Sequence, residues 1–498
     1  MEILKAIEHA VGRVPSIRNG PRAVDLDVLL YDDACIDTRP ESLRVTLEDN
    51  LEGHLVVPHP RMAEREFVLR PLCESALVTP FPKSSANRPY SMVPDFVHPV
   101  SRKPIHEMLS DVLKASPADS PAMIKVMPFP TYPHTLGHAP VAHVPNIPHT
   151  QAYWKFPPSR SAVPTGYASP LRRTRLMATL NVTPDSFSDG SDHTTFSTAL
   201  DFATSSVAAG ADIVDVGGYS TRPGAAYVSP SEETSRVVPV ITALRAARAQ
   251  PPNNNDPDIT TTTTTTRNKK ERNVPLISVD TFRPDVARAA ILAGANCIND
   301  VHAFTGPDYP PTAPSASTYL AEMKKTAREL VVPVILMHSR GDAGANKDYS
   351  RYASVVQGVT QELGEKVEAI VRGPGGVRRW LVVVDPGIGF SKSLEANLQV
   401  LRDSASVTAN ERTENGVWNP LRGYPQLVGV SRKSFLGAIL SQPDDDGTYQ
   451  GRKTTPKERG WATAAAVTCA VQQGVAVVRI HDVLELGDVV RVADAIYS

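Results

Sequence analysis

The chain has 498 residues, of which 41% are hydrophobic and 21% charged, as in ordinary globular proteins. At roughly 150 residues per domain, this length allows two or three domains. The 52 Lys and Arg against 53 Asp and Glu leave a net charge of −1, which argues against a general nucleic-acid binder. No apolar run reaches the ~18 residues of a membrane-spanning helix. The four cysteines form no Cys-x-x-Cys pair, so we expect reduced thiols in an intracellular protein, cytoplasmic or mitochondrial.

Residues 1–114 form the first predicted domain. The stretch RNGPRAVDLDVLLYDD places Asp25 and Asp27 in a strand-like run, where side chains two residues apart share one face. Two carboxylates on one face suit Mg²⁺, and ATP chemistry uses such ions. A plain polar edge strand is the alternative. A second patterned stretch, VPHPRMAEREFVLRPL, follows at 57–72.

A segment rich in proline and histidine, 115–170, follows this domain. Eighteen of the 44 prolines lie between Pro80 and Pro170. Because proline fixes φ and removes a hydrogen-bond donor, we expect neither long helices nor central strands here. We interpret 115–170 as a solvated linker; a histidine metal site is the alternative, which the irregular spacing disfavours. Two further segments, 250–273 with a run of seven threonines and 305–316 with several prolines, are predicted to be disordered insertions within a domain.

Short apolar runs alternate with helical patterns eight times within 171–498. The runs lie at 175–182, 211–218, 275–281, 295–301, 332–339, 380–386, 426–432 and 475–483. Two of the intervening or following stretches, 349–372 and 484–497, place their apolar residues on one helical face. Near-continuous apolar strands covered by helices are typical of parallel α/β sheets. Eight such units predict a closed (β/α)8 barrel, with an open doubly wound sheet as the alternative.

Every apolar run ends in polar residues. In chain order they are Asn181, Asp215, Asp280, Asn299, His338, Asp385, Ser431 with Arg432 and Lys433, and Arg479 with His481. In a barrel these positions converge on the C-terminal face, where active sites lie. A single polar residue there can be a helix cap, but caps are Ser, Thr, Asp or Asn rather than Arg, Lys or His. The cations suit a phosphate group, and the carboxylates and amides suit the rim of a nitrogen heterocycle.

Seven stretches resemble the dihydropteroate synthases, in the family's order, over about 174–498. They are LNVTPDSFSDG, VDVGGYSTRPGA, ISVDTFRPDVARAAILAGANCINDV, PVILMHSRG, VDPGIGFSKSLEANLQVLR, GVSRKSFLG and RIHDV. The resemblance implies a TIM barrel of folate biosynthesis. With Mg²⁺, such enzymes join dihydropterin-CH₂-diphosphate to 4-aminobenzoate and release dihydropteroate and diphosphate.

The resemblance also implies roles for individual residues. The pterin would be bound by Asp280, Asn299, Asp385 and Lys433, and the diphosphate by Arg479, His481 and Asn181, of which Asn181 would also bind Mg²⁺. Thr221 would bind the pterin diphosphate, from a mobile loop that it shares with Arg222 near the diphosphate and the aminobenzoate. Ser434 would contact the aminobenzoate, and Phe187 and Asp189 would belong to a second mobile loop. Tyr219 departs from the family, because many members have Glu at that position.

The two N-terminal stretches together resemble part of the hydroxymethyl-dihydropterin pyrophosphokinases, an α+β ferredoxin-like kinase family. The resemblance implies Asp25 and Asp27 as Mg²⁺ ligands and places Arg22, His59 and Arg65 near the ATP phosphates. The family's pterin-binding strand and loop would lie upstream of Met1. We therefore expect a truncated kinase domain, inactive in this chain, in a fused folate-synthesis protein of the fungal type.

Two other functions compete with the transferase. Corrinoid methyltransferases share a pterin-binding barrel, but the cations of SRKSF and RIHD argue against them. A non-catalytic pterin-binding relic would have lost the charge of Lys433 or Arg479, and both are retained. The expected partners are small molecules: pterin diphosphate, 4-aminobenzoate, and ATP for the kinase segment. We expect no nucleic acid or membrane partner, and a homodimer is one assembly to test.

Overall fold

The computed structural model describes two compact units, formed by the described residues of 1–123 and of 124–498. The described residues are 2–13, 24–44, 54–74, 78–79, 91–92, 95–117, 123–132, 149–156, 173–183, 195–221, 226–246, 275–311, 314–372, 375–412 and 416–497. Within these ranges, no helix is long and apolar enough to cross a membrane.

The first unit is a small α+β assembly. Its helices are α1 Glu2–Ala10, α2 Glu66–Glu74 and α3 Ile105–Ala115, and its strands are β1 Ile36–Asp37, β2 Val56–Val57, β3 Val78–Thr79 and β4 Ser91–Met92. The strands pair antiparallel, β1 with β2 and β3 with β4. A small core of Met62, Leu69, Ile105 and Met108 lies between α2 and α3. The unit agrees with the predicted α+β class.

One local prediction in this unit is wrong. Residues 24–30 form no strand, although the backbone N–H of His59 donates to the carbonyl of Leu29 at 2.9 Å. The run is held instead by Glu8, whose carboxylate accepts from the backbone N–H of Leu26 at 2.9 Å. A side chain on α1 therefore supplies the partner that a neighbouring strand would have supplied.

The second unit is an eight-stranded parallel barrel. Its strands are β7 Arg175–Asn181, β8 Ile213–Gly217, β9 Leu276–Asp280, β10 Cys297–Asp300, β11 Val334–Met337, β12 Val382–Asp385, β13 Leu427–Gly429 and β14 Val477–Ile480. They are ordered β12-β11-β10-β9-β8-β7-β14-β13, and a parallel bridge between Val384 and Gln426 joins the two end strands. The predicted (β/α)8 barrel is confirmed, and every strand lies within its predicted run.

Helices cover the outer face of the barrel. They are α4 Thr195–Ala208, α5 Pro230–Ala246, α6 Pro284–Leu292, α7 Pro314–Leu330, α8 Val355–Val371, α9 Leu394–Arg402, α10 Ser404–Val407, α11 Ser434–Leu440, α12 Gly460–Gln472 and α13 Val483–Tyr497. Helix α8 begins after the predicted start at 349, because Ser354 caps it by accepting from the backbone N–H of Gln357 at 3.1 Å.

Alternation along the strands divides the core into two layers. Ala178, Val214 and Ile277 face outward and pack in the main core with the helices. Their neighbours Met177 and Ile213 face inward and fill the lower part of the barrel. The lower layer is apolar, so polar side chains higher in the barrel collect at its C-terminal mouth.

The predicted linker, 115–170, needs correction. Two of its segments form an antiparallel hairpin of β5, Lys125–Pro130, and β6, Thr150–Phe156. Met127, Phe129 and Trp154 are buried with the lower barrel layer, and the Phe129 and Trp154 ring centroids are 4.7 Å apart. From Val126 to Phe129, more exposed and buried residues alternate, and a two-stranded ribbon has free edges that tolerate proline.

The proline-rich insertion predicted at 305–316 also differs from expectation. Residues 305–311 form turns, and 314–316 belong to the first turn of α7, where Ala316 is buried. The hydroxyl of Ser315 donates to the carboxylate of Asp308 at 2.5 Å and ties the turns to the helix. The threonine-rich insertion, 250–273, lies outside the described residues.

Candidate functional site

Four strand ends form one row at the mouth of the barrel. Asn181, Gly217, Asp280 and Asn299 are in register on the consecutive strands β7 to β10. Gly217 leaves room between its neighbours: a Cβ atom there would lie 3.7 Å from the amide oxygen of Asn181 and 3.7 Å from a carboxylate oxygen of Asp280. Three of the residues predicted from different strand ends are thus brought together.

Arg479 of β14 reaches across the barrel to this row. Its Nε donates to Oδ2 of Asp215 at 2.7 Å, and its Nη2 donates to Oδ2 of Asp280 at 2.8 Å. The amide of Asn299 donates to the same oxygen of Asp215 at 3.0 Å. One guanidinium therefore orders two carboxylates and, through Asp215, an amide.

Asp215 was not among the predicted ligands. It is fully buried, and one of its oxygens, Oδ1, finds no hydrogen-bond partner among the described residues. Thr179 and Ser278 lie in register with it on β7 and β9, and their hydroxyls likewise have no partner in the described part of the chain. The polar layer thus continues one level below the mouth.

Burial controls the charge of Asp280. Burial raises the pKa of this carboxyl to about 7; the positive charge of Arg479 lowers the pKa and the negative charge of Asp215 raises it further. A buried carboxylate that is costly to ionise becomes, once ionised, a strong acceptor for N–H groups of a ligand.

A tight turn follows β12 and carries Asp385. Oδ1 of Asp385 accepts from the backbone N–H of Gly387 at 2.7 Å. Gly387 has φ +69°, and a Cβ there would overlap the carbonyl oxygen of His338, so only glycine fits. Burial raises the pKa of Asp385 to about 6, opposed by the Gly387 hydrogen bond and by Lys433 and Lys392.

Lys433 lies above this turn. Its Nζ is 4.3 Å from the ring centroid of Phe390, and its aliphatic chain packs on Gly389, where an added Cβ would come within 2.9 Å. Gly389 has φ +84° and donates its N–H to Oδ1 of Asn397 at 2.6 Å. The ammonium group is thus held over an aromatic ring of the turn that carries Asp385.

The ends of β13 and β14 are joined through Ser431. Its hydroxyl contacts Nδ1 of His481 at 3.0 Å and accepts from the His481 backbone N–H at 3.2 Å. The neighbouring Arg432 has φ +61° and forms an ion pair with Asp482. Arg432 is thus paired on the outside of the loop, while His481 is held at the mouth.

The remaining predicted barrel residues are distributed as follows. Thr221 is half-buried in the loop after β8, and Ser434 is exposed at the first position of α11. Phe187, Asp189 and Arg222 lie outside the described residues.

His338 was predicted at the barrel mouth from its strand end, but the charged groups around it, Glu362, Lys392 and Arg340, were not predicted. His338 is fully buried between two charged groups: Nε2 lies 2.9 Å from Oε2 of Glu362 and Nδ1 lies 3.2 Å from Nζ of Lys392. Arg340 donates twice to Glu362, at 2.8 Å each. Nothing in the spacing of these residues indicates that they meet.

In the first unit, the residues predicted to bind Mg²⁺ and the ATP phosphates have fewer contacts with one another than the barrel residues have. Asp25 and Asp27 are both about half exposed, and Oδ1 of Asp25 accepts from Arg13 at 2.8 Å. Nε2 of His59 lies 3.9 Å from Asp27, and Arg65 lies over the ring of Phe67. Arg22 lies outside the described residues. Across both units, the described His, Cys, Asp and Glu side chains form no group of three that could hold a metal ion.

Two protein families match the chain. The family described as "Pterin binding enzyme" matches 177–252 and 264–481, and the 7,8-dihydro-6-hydroxymethylpterin-pyrophosphokinase family matches 1–77. The first match contains Asn181, Asp280, Asn299, Asp385 and the Arg479 network described above.

Some curated relatives match nearly the whole chain. The chain is 31% identical to the "Folate synthesis bifunctional protein, mitochondrial" of Arabidopsis thaliana, over 99% of this chain and 71% of the relative. It is 30% identical to the "Folic acid synthesis protein fol1" of Pneumocystis carinii, over 99% of this chain and 50% of the relative. The chain thus spans about half the length of that relative.

The barrel region alone has shorter relatives. It is 36% identical to the "Dihydropteroate synthase" of a Synechocystis strain, over 66% of this chain and 91% of the relative. A solved dihydropteroate synthase from Clostridium difficile, in the presence of pteroic acid, is 31% identical with a TM-score of 0.49, covering 66% of this chain and 98% of that chain. The chain therefore belongs to the pterin-binding enzyme family of the dihydropteroate synthases, with a pyrophosphokinase-family segment in front of its barrel as in the fused folate-synthesis proteins.

Proposed function

We propose that the barrel condenses (7,8-dihydropterin-6-yl)methyl diphosphate with 4-aminobenzoate to give dihydropteroate and diphosphate. The observation that carries this proposal is the meeting of Asp280, Asn299 and Asp385 with Arg479 and Lys433 at one barrel mouth. Hydrogen-bond acceptors for a heterocycle thus lie beside cations for an anion. The names of the relatives point to the same reaction.

The pterin is held through its polar edge. A buried carboxylate opposite two adjacent N–H groups accepts from both at once, and we assign this role to Asp385. Asn299 offers both an amide donor and an acceptor, and Asp280 offers a second carboxylate. Lys433, beside the Phe390 ring, adds a positive charge to the same pocket.

The diphosphate is held by Arg479, His481 and Asn181. Neutralising the departing diphosphate lowers the barrier to breaking the CH₂–O bond, because charge develops there in the transition state. The methylene carbon then accepts the lone pair of the arylamine, the new C–N bond forms, and the amine releases a proton. No Ser or Cys nucleophile is required for this displacement.

The residues fit a Mg²⁺ ion that arrives with the diphosphate. Mg²⁺ is commonly bound by one or two protein oxygens together with substrate phosphates and water, and the amide oxygen of Asn181 borders the pocket beside Asp280. When bound, the ion supplies charge neutralisation at the leaving group. Thr221 remains a predicted contact of the pterin diphosphate, and Ser434, Arg222, Phe187 and Asp189 remain predicted for the aminobenzoate side and its loops.

The proposal is tested by following dihydropteroate and diphosphate formation by the purified chain, with and without Mg²⁺. Lys433→Ala is expected to lower kcat/KM for the pterin substrate by more than about tenfold, since it removes a charge at the ring. Lys453→Ala, at an exposed lysine, is the control and should leave the rate unchanged. A folded chain that forms no dihydropteroate with both substrates and Mg²⁺ would contradict the proposal.

Activity is expected to fall on the acid side of neutrality. Pterin binding needs Asp280 and Asp385 ionised, and burial raises their pKa values to about 7 and about 6. kcat/KM for the pterin substrate should therefore decrease as the pH falls from 8 to 5.5. A pH profile of kcat/KM that is flat over this range would count against carboxylate acceptors in the pocket.

For the N-terminal segment, ATP binding through Asp25, Asp27, Arg22, His59 and Arg65 stays a prediction, as does its lack of kinase activity. We also propose an intracellular location, cytoplasmic or mitochondrial. The mitochondrial label of the Arabidopsis thaliana relative is in keeping with it.

A further inference from the structure

Lys392, on the turn after β12, has the surroundings of a buried ammonium group. Only 4% of the residue is exposed. Its Nζ donates to the carbonyl oxygens of Gly387 at 2.9 Å and Phe390 at 3.1 Å, and lies 3.2 Å from Nδ1 of His338. Three acceptors match the three N–H donors of an ammonium, so the charged form is satisfied there.

The contact with His338 determines the form of that imidazole. Nδ1 accepts from Lys392, so the ring proton is on Nε2 and is donated to Glu362. Burial lowers the pKa of His338 to about 3, with a contribution from Lys392, which keeps the ring neutral. Glu362 is held in turn by Arg340, Arg351 and Tyr352.

The two carbonyls that Lys392 binds belong to the turn that forms the pterin side of the pocket. Gly387, whose carbonyl accepts from Lys392, donates its N–H to Asp385. Phe390, whose carbonyl also accepts, carries the ring under Lys433. Lys392 therefore holds, through the backbone of Gly387 and Phe390, both the residue that donates to Asp385 and the residue whose ring lies under Lys433.

Lys392 and Asp385 also interact electrostatically. Burying an ammonium is costly unless it is paired, and the pKa of Lys392 is lowered to about 7 by burial, against the pull of Asp385. The charged groups acting on Asp385 are Lys433, Lys392 and Arg479, and those acting on Lys392 are Asp385, Arg340, Glu362 and Lys433. A lysine with only a packing role would not need a carboxylate of the pocket as its electrostatic partner.

We propose that Lys392 is a positioning residue of the pterin pocket: its ammonium group, backed by His338 and Glu362, clamps the 386–390 turn and sets the carboxylate of Asp385 against the ligand. The inference rests on the proposed function, because it assumes that a pterin is bound at Asp385. It concerns pterin affinity, and the aminobenzoate side should be unaffected.

The test compares two lysines of the same barrel whose ammonium groups both donate to backbone carbonyls. Lys392→Met removes the ammonium group at nearly constant volume. Lys366→Met does the same at a half-buried lysine that donates to the carbonyls of His302 and Ser339. The carboxylates that act on Lys366 are Asp300 and Glu362, and Asp385 is not among them. Binding of 6-hydroxymethyl-7,8-dihydropterin is measured by titration calorimetry from pH 5.5 to 8.5, and KM values for both substrates are measured alongside.

Lys392→Met is expected to weaken pterin binding about tenfold or more, the effect of losing roughly one charge-assisted interaction. It should raise the KM of the pterin substrate but not that of 4-aminobenzoate. The acid limit of pterin binding, which is the pH below which binding is lost, should move to higher pH. The reason is that Asp385 loses a nearby cation and its pKa rises. Lys366→Met should keep wild-type pterin affinity and the wild-type acid limit.

Equal pterin affinity and equal acid limits in the two variants would overturn the inference. If Lys392→Met does not fold, His338→Phe removes the third acceptor of Lys392 together with the donor to Glu362. It should weaken pterin binding in the same direction by about threefold, and unchanged affinity there would overturn the inference as well. A wild-type chain that binds pterin but makes no dihydropteroate would contradict the proposed function alone, since the binding comparison still decides on Lys392.

Discussion

Replacing Arg479 with Met is expected to lower kcat/KM for pterin diphosphate by about 30-fold to 900-fold. This range corresponds to the ~2–4 kcal/mol that a charge at a developing anion typically contributes. Arg479 has two roles: in the proposed reaction it neutralises the diphosphate, and in the folded chain it is the counter-ion of Asp215 and Asp280. Steady-state kinetics with the pterin substrate measure the first role.

The second role makes the single variant ambiguous. Asp215 is fully buried, and a buried carboxylate left without its cation costs about 3–5 kcal/mol of stability. The double variant Arg479→Met with Asp215→Asn removes the cation and the fully buried carboxylate but keeps Asp280, so its unfolding free energy should recover in part while its kcat/KM stays low. Arg452→Ala, at an exposed arginine, serves as the control. A double variant with wild-type kcat/KM would show that Arg479 acts only as a counter-ion.

The sequence predicts the barrel well, because each strand carries two local signals. A β-branched apolar run such as VPVILMHS marks the strand, and the polar residue at its end marks the C-terminal mouth. Asp280, Asn299 and Asp385 could therefore be placed in one site from their strand positions alone. The hairpin of β5 and β6 was missed because the prolines of KVMPFP argue against a strand, although an exposed edge tolerates them.

The contacts within the site could not be predicted from the sequence, because the residues that make them are far apart in the chain. Arg479 and Asp215 are 264 positions apart, and neither spacing nor composition indicates that they share hydrogen bonds. Lys392 looks like an ordinary loop lysine in GFSKS, and only its burial beside His338 and Asp385 gives it a role. Such long-range pairings depend on which strands become neighbours, so they follow from the closed barrel and not from any local pattern.

Replacing Asp385 with Asn is expected to abolish most pterin binding and at the same time to stabilise the folded chain at alkaline pH. Binding falls because an amide offers one acceptor and one donor where the ligand presents two N–H groups. The loss of charge-assisted hydrogen bonds at ~1.5–3 kcal/mol each should weaken binding about hundredfold or more. Titration calorimetry with 6-hydroxymethyl-7,8-dihydropterin measures this loss.

Stability moves in the opposite direction because the pocket disfavours the charge that binding needs. Burial raises the pKa of Asp385 from 3.8 to about 6 on folding, so the folded state binds its proton more tightly than the unfolded state does. Wild-type stability therefore decreases as the pH rises from about 4 to about 6, by about 3 kcal/mol at roughly 1.4 kcal/mol per pKa unit. Asn avoids this cost.

The stabilisation by Asp385→Asn should accordingly be largest at pH 8 and small near pH 4. Urea unfolding at both pH values measures it, and Asp488→Asn, at an exposed aspartate on α13, should show no such difference. If Asp385→Asn is less stable than wild type at pH 8, the attraction of the carboxylate to Lys433 and Lys392 stabilises the fold by more than the burial of its charge destabilises it. With the expected result, Asp385 would be a residue that the fold tolerates at a cost in stability, because an ionised acceptor is what the pterin requires.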